Sequence, residues 1–233
     1  MDRLKKLNRN GDFNMIDFNL VTEYGPLFLH GTLMSLYIAF FSCLLGIFLG
    51  GTAGMILAGK SKILKFFVTI YVTIIRGTPM LIQVAAIYFT LIYLGVPISA
   101  LYSAIISIGL NSGAYLSQIV LSGIKSVGKG QSEAGKVLGF SNYQIMTLII
   151  LPQAVRTMIP AFGNEFVTLV KDSSLASTIG VYELAKQGGI VLSHTYDAPT
   201  VYVILAFIYL SITSVISLFV SRIDKKLNNY AHR

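Results

Sequence analysis

The sequence predicts an all-α membrane protein of about five transmembrane helices. Three observations carry this. Hydrophobic residues make up 54% of the 233 positions and charged residues only 12%, against roughly 25% charged in an ordinary soluble domain. The mean hydropathy is +0.70, more apolar side chain than one soluble core of this size can hide. The charges fall between long uncharged runs that reach or exceed the ~20 residues a helix needs to cross a bilayer.

Residues 25–59 contain no Asp, Glu, Lys or Arg and form the first span, closed by Lys60, Lys62 and Lys65. Residues 63–75 are apolar but short and basic at their start, which reads as an interfacial or cytoplasmic-side helix. Residues 77–124 again lack these charges and are too long for one crossing. Gly95-Val96-Pro97 divides them, because proline cannot continue a helix and glycine ends one, leaving spans at 79–94 and 99–122. Residues 125–141 are polar and glycine-punctuated, a loop with a short helix, and 142–151 form an apolar re-entry helix. Pro152 starts the fourth span, to about Val170, carrying Arg156 and Glu165. Residues 171–197 are mixed. Residues 198–221 are the fifth span, closed by Arg222, Lys225 and Lys226. A count of six, with 63–75 promoted to a crossing, is the rival.

The Lys60 cluster, the Lys125–Lys136 loop and the C-terminal tail fall on one side, which the positive-inside rule makes cytoplasmic. An odd number of spans then puts the N-terminus outside. Arg3, Lys5, Lys6 and Arg9 resist this placement, and a start at Met15 would remove them. The domains follow: an external arm at 1–24, a membrane domain at 25–222 with a cytoplasmic loop at 125–151, and a cytoplasmic tail at 223–233.

Composition excludes several functions. The net charge of +8 belongs to span flanks and not to a basic stripe with aromatic partners, so no nucleic acid is expected. The single cysteine, Cys43, lies in an apolar run and reads as a packing residue. His30, His194 and His232 are far apart, so no metal site is expected. The first apolar run outlasts a signal-peptide h-region, and no cleavable signal is apparent. No nucleophile–base pattern or pair of close carboxylates offers a catalytic residue. Gly123-Ile124-Lys125-Ser126-Val127-Gly128-Lys129-Gly130 nearly spells a nucleotide-binding loop. It fails where Gly130 replaces the Mg²⁺-binding hydroxyl, and it follows a span and not a strand.

Gly46, Gly50 and Gly54 recur every four residues in the first span. Either they form a smooth face for a neighbouring helix, or they are chance glycines in a membrane helix, where glycine is common. Glu133-Ala134-Gly135-Lys136-Val137-Leu138-Gly139, followed by Ile150-Leu151-Pro152, reads as a short amphipathic helix ended by glycine. Its apolar residues Ala134, Val137 and Leu138 suit docking in a partner's groove, although an ordinary solvated loop helix has the same composition. Glu165 falls about 20 Å from Pro152 along its helix, well inside a span, where a carboxylate is costly and faces a pathway or a partner. It stands either as a ligand for a cationic group or in a structural ion pair with Arg156 or Lys171; Arg156 is poorly placed for the pair along one helix. Asn164 beside it adds hydrogen-bonding capacity. Arg76 precedes a span and reads as an anchor at the cytoplasmic interface, with Gly77 and Pro79 setting the turn. Lys171-Asp172-Ser173 ends the fourth span on the outer side, as a helix-terminus cluster or as a meeting point with substrate.

Together these segments resemble a known family. The Glu133–Gly139 segment with Ile150-Leu151-Pro152 resembles the "EAA" loop of ABC importer permeases, with Gly135 in place of the second Ala, a change expected to loosen the helix. Arg76-Gly77-Thr78-Pro79 with Gln83 resembles the Arg-Gly-Thr-Pro signature of polar amino-acid permeases. Leu151-Pro152-Gln153-Ala154-Val155-Arg156, Pro160, Asn164-Glu165 and Lys171-Asp172-Ser173-Ser174-Leu175-Ala176 match the rest of that pattern, in order, across most of the chain.

The resemblance implies the type I ABC importer transmembrane fold in a bacterial plasma (inner) membrane. It implies a non-enzymatic transport subunit that works with a dimer of ATPase subunits, a second permease subunit, identical or similar, and an extracytoplasmic solute-binding protein. No cofactor is expected in this chain, since ATP and Mg would sit on the ATPase. Glu133, Ala134, Val137, Leu138 and Gly139 would couple to the ATPase. Glu165, Asn164, Gln83, Thr78 and Ser173 would contact substrate. Arg76, Pro79, Arg156, Pro160, Lys171 and Asp172 would serve structure and gating. The expected cargo is a basic or polar amino acid: arginine, lysine or histidine ahead of glutamine or cystine. The alternatives are an ion-gradient-driven amino-acid carrier, which needs intramembrane ion ligands or paired broken helices, and a membrane scaffold.

Overall fold

The structure, a computed structural model, describes residues 16, 17 and 19–231. The basic residues of the N-terminal arm and the alternative start at Met15 lie outside the described residues. After a short α1 (Asn19–Glu23), α2 (Gly25–Ala58) runs for 34 residues, about 51 Å. Pro26 opens it, where a missing N–H costs nothing, and it stops at Gly59. Its principal partner is α5 (Ala100–Ser126), whose N-terminus is capped by the Ser99 hydroxyl accepting from the Tyr102 N–H at 3.3 Å.

The glycine stripe makes that pairing. A Cβ on Gly46 would lie 2.8 Å from Ser112 Oγ, one on Gly50 2.5 Å from Leu116 Cβ, and one on Gly54 2.5 Å from Val120 Cβ. Gly109 and Gly113 of α5 answer from the other side, against Leu45 and Leu49. With no hydrophobic force between helices in lipid, such close approach is what holds them together.

α3 (Lys62–Gly77) and α4 (Met80–Tyr93) differ from expectation. They form one pair bent by 107° at Thr78-Pro79. α4 alone has 14 residues, about 21 Å, short of the ~30 Å hydrocarbon core. Residues 63–75 are therefore one arm of a bent pair, a broken span or a re-entrant unit, with α4 as the other arm. Four helices are long and apolar enough to cross alone, and the bent pair raises the count to five at most, so the rival count of six is not reached among the described residues.

The segments read as a re-entry helix and a separate fourth span are instead one run, Asn142–Ile179. After α6 (Lys129–Val137), a capping box opens the run: Ser141 Oγ accepts from Gln144 N–H at 3.3 Å, and Gln144 Oε1 from Ser141 N–H at 2.9 Å. It begins with α7 (Asn142–Gln144), loosens into a π-helical stretch (Ile145–Ile150) and continues as α8 (Leu151–Asp172). Pro152 explains the loosening. It has no N–H to offer the Leu148 carbonyl four residues back, and its ring crowds that carbonyl. A 3₁₀ turn (Ser173–Ile179) ends at Gly180, whose φ of +91° suits glycine. α9 (Leu184–Thr195) and the long α10 (Ala198–Ala231) complete the fold.

The buried core has three clusters. One gathers Ile38, Val84, Ile108 and Leu169; one gathers Phe28, Leu184, Val191 and Val201; one gathers Val120, Ile124, Ala154 and Met158. The outward faces carry large apolar side chains, Phe48, Phe66, Phe207 and Phe219 among them, which lipid can solvate.

Candidate functional site

A cavity of about 450 Å³ lies between α5 and α8, with the end of α3 as its third wall. Arg76, Tyr115, Gln118 and Glu165 line one end; Gly123, Ser126, Thr157 and Met158 line the other. Glu165 is half-buried, and its Oε1 accepts from the Ser112 hydroxyl of α5 at 2.9 Å. The Arg76 guanidinium stands over the Tyr115 ring, 5.0 Å from its centroid. Tyr115 is about three turns, roughly 16 Å, from the Ser126 end of α5. Arg76, itself exposed, is thus also a wall of the cavity. Among the described residues neither charge has an ionic partner, so the ion pair of Glu165 with Arg156 or Lys171 is not formed.

The other expected substrate residues lie elsewhere. Gln83 is a clasp across the α3–α4 bend. Its Nε2 donates to the Ile75 carbonyl at 2.7 Å, the Thr78 carbonyl at 3.0 Å and the Thr78 hydroxyl at 2.7 Å, while its Oε1 accepts from Asn111 Nδ2 of α5 at 2.9 Å. Thr78 also donates to the Ile74 carbonyl at 2.9 Å, and Pro79 caps α4 in extended backbone. Ser173 is buried and donates to the Val170 carbonyl at 2.8 Å. Asn164 is exposed and lies outside the cavity lining, as do the exposed Arg156 and Lys171. Pro160 sits inside α8 beside the lining residue Ala161, and Asp172 is half-buried at the helix end.

Sequence reasoning missed the polar face of α5. Ser112, Tyr115, Gln118, Ser122 and Ser126 recur at helical spacing through a span, and that periodicity was the available signal. It also missed Glu183, wholly buried, which caps α9. Its carboxylate accepts from the Ala185 N–H at 2.9 Å, the Lys186 N–H at 2.8 Å, the Tyr209 hydroxyl at 3.1 Å and the Ser35 hydroxyl at 3.3 Å.

The second feature is α6. Glu133, Ala134, Val137 and Leu138 are exposed, the last two at 87% and 73%. Gly139 ends the turn at φ +81°, with its N–H donating to the Lys136 carbonyl at 3.0 Å. Gly135 faces inward. A Cβ there would lie 2.9 Å from Ile145 Cγ1 and 3.0 Å from Ile149 Cδ1, so this glycine seats α6 on the π-helical stretch, a role its sequence context did not reveal. The near-match to a nucleotide loop is the end of α5 and the start of α6, with Gly128 as helix cap.

The chain matches the family model for the binding-protein-dependent transport system inner membrane component over residues 46–229. The glutamine transport system permease protein GlnP of Escherichia coli K12 is 33% identical over 213 residues, which is 91% of this chain and 97% of that protein. The amino-acid ABC transporter permease protein YckA of Bacillus subtilis is 37% identical, over 91% and 93% of the two chains. Among solved structures, an amino acid ABC transporter with histidines superposes with a TM-score of 0.85 at 34% identity, covering 91% of this chain and 99% of that one. The inward-facing MetNI methionine ABC transporter superposes with a TM-score of 0.76 at 22% identity, which shows the shared fold. This chain belongs to the family of binding-protein-dependent transport system inner membrane components, as a multi-pass permease with the type I ABC importer transmembrane fold.

Proposed function

We propose that this permease carries a basic amino acid in an ATP-driven importer, with Glu165 contacting the cationic side chain of the cargo. The observation that carries the reading is a carboxylate without an ionic partner among the described residues, facing a cavity inside a membrane domain. A guanidinium or ammonium group supplies what that carboxylate lacks. Relatives described as amino-acid and glutamine permeases support the amino-acid class.

The partners follow from the family. A solute-binding protein delivers the cargo from outside, a second permease subunit completes the path, and ATP with Mg acts on separate ATPase subunits. The exposed Val137 and Leu138 fit a groove on the ATPase. α6 continues from α5 and rests on Ile145 and Ile149 of the run that leads to Glu165, so a push on α6 reaches both walls of the cavity. An ion-gradient carrier is not favoured by the family match.

The test is uptake of labelled arginine, lysine, histidine and glutamine into vesicles holding the assembled complex and binding protein, with and without internal ATP. Glu165→Gln removes a charge-assisted contact of about 1.5–3 kcal/mol, so arginine and lysine uptake should fall roughly tenfold or more while glutamine uptake changes less. Unchanged arginine and lysine uptake in Glu165→Gln would refute the role of Glu165. ATP-independent uptake would refute the importer reading.

A further inference from the structure

We propose that the start of α3 is a binding site for an anionic phospholipid of the cytoplasmic leaflet. Lys60, Lys62 and Lys65 hold its headgroup, and the exposed apolar stripe that follows them holds an acyl chain. α2 ends beside the cytoplasmic loop, because Ala58 packs against the cluster of Val120, Ile124, Ala154 and Met158. The three lysines therefore lie at the α6 end of the molecule, the cytoplasmic end on the positive-inside rule. Lys60 and Lys62 are exposed and Lys65 is half-buried, and among the described residues no carboxylate pairs with any of them.

The faces of α3 have different work. Tyr71, whose hydroxyl donates to the Leu110 carbonyl of α5, and Val72, the helix's one buried residue, seat it on the protein. On another face Ile63, Phe66, Phe67, Ile70 and Ile74 recur at three- and four-residue spacing and are 40–72% exposed. This stripe is about 16 Å long, close to the ~15 Å of one leaflet in a ~30 Å hydrocarbon core. Lys62 precedes Lys65 by three residues and Phe66 by four, so a headgroup held by the two lysines stands at the head of the stripe. Exposed apolar surface by itself takes any lipid, neutral or charged. The unpaired lysines discriminate, because each cation near the membrane surface attracts a lipid of net negative charge. Other lipid-facing surface lacks this feature: Phe207 of α10 is exposed in a run, 198–221, that has no Asp, Glu, Lys or Arg.

The chain has no tryptophan, so Phe67→Trp gives the full-length chain one reporter on the stripe, and Phe207→Trp gives a control. Each variant is reconstituted in vesicles of phosphatidylcholine and phosphatidylglycerol. Quenching by the brominated form of one lipid or the other then reads which lipid sits beside the reporter. At position 67 phosphatidylglycerol should be favoured at least about fivefold at low salt, and most of that preference should vanish at about 1 M salt, where the Debye length is about 3 Å. At position 207 the two lipids should be equal. Adding Lys60→Gln, Lys62→Gln and Lys65→Gln together should bring position 67 close to parity, whereas arginine at the same three positions should keep the preference. Exchanging chloride for inorganic phosphate at equal ionic strength should change nothing. Equal occupancy at position 67 with the lysines intact, the same preference at position 207, or a preference that survives the three glutamines would overturn the site. Loss of the preference to inorganic phosphate would assign the lysines to a soluble anion and overturn the lipid site as well.

Discussion

Replacing Gly50 by alanine and, separately, its neighbour Gly51 by alanine isolates what holds the membrane domain together. A Cβ at position 50 would lie 2.5 Å from Leu116 Cβ, 2.9 Å from the Gly113 carbonyl oxygen and 3.0 Å from the Ser117 nitrogen. These are backbone atoms or the first side-chain carbon of α5, so no rotamer change moves them aside. Carbon atoms settle about 3.5–4.0 Å apart, so α2 and α5 would have to part locally by roughly 1 Å. Overpacking of this kind costs about 1–3 kcal/mol. At Gly51 nothing lies within 4 Å. Alanine there should be neutral, or stabilise the helix by up to about 1 kcal/mol through propensity. The propensity gain is common to both positions, so the two single-methyl changes, one residue apart, should differ by the overpacking cost, about 1–3 kcal/mol. The assay is thermal unfolding of the purified subunit in detergent, followed by fluorescence-detected size exclusion. Gly50→Ala should melt several degrees below the unaltered protein and Gly51→Ala at or above it. Equal melting temperatures for the two variants would refute the claim that close approach, and not overall apolarity, joins α2 to α5.

Three further outcomes are expected. Gln83→Ala strands the buried Asn111 amide and the Ile75 carbonyl, at about 1–3 kcal/mol each; melting temperature and transport should fall together, the second because Arg76 loses its fixed position. Tyr209→Phe removes one hydrogen bond to the buried Glu183 and should cost about 1–2 kcal/mol, whereas Glu183→Ala uncaps α9 and strands several donors and should cost more, both read by melting temperature. Val137→Asp alters an 87% exposed residue, so melting should not change while co-purification of the ATPase subunit should be lost.

Much of this architecture is legible in the sequence because lipid imposes a simple rule. Charge-free runs mark three of the four long helices, the four-residue glycine repeat marks the α2–α5 contact, and Gly139 marks the end of α6. What the sequence concealed depends on contacts between distant residues. Gly77-Thr78-Pro79 looks like a boundary between two elements. It joins them because Gln83 and Asn111 bind across the bend, and Asn111 is on another helix. Pro152 looks like a helix start, yet a π-helical stretch absorbs it and the run continues. Glu183 sits in an unremarkable polar segment, and its burial comes from Ser35, 148 positions earlier. Arg76 reads from its neighbours in sequence as a span flank, and its place over Tyr115 on the cavity wall comes from another helix.

The cavity is held at its two ends by unequal means, and that inequality suits a driven pore. At the charged end Glu165 is tied to α5 by the Ser112 hydroxyl at 2.9 Å, and Arg76 of α3 lies over Tyr115 of the same helix α5. At the α6 end the walls meet through the apolar cluster of Val120, Ile124, Ala154 and Met158, with Gly123 packed on Met158, and a 3.4 Å hydrogen bond between the Ser126 and Thr157 hydroxyls. A neutral hydroxyl pair of that length contributes on the order of 0.5–1.5 kcal/mol, and apolar packing, being non-directional, tolerates a small slide. The end nearest α6 is thus joined by non-directional contacts and the charged end by a directional one. On the proposed coupling role, a shift of α6 would act there first, through its junction with α5 on one wall and its seat on Ile145 and Ile149 beneath the other.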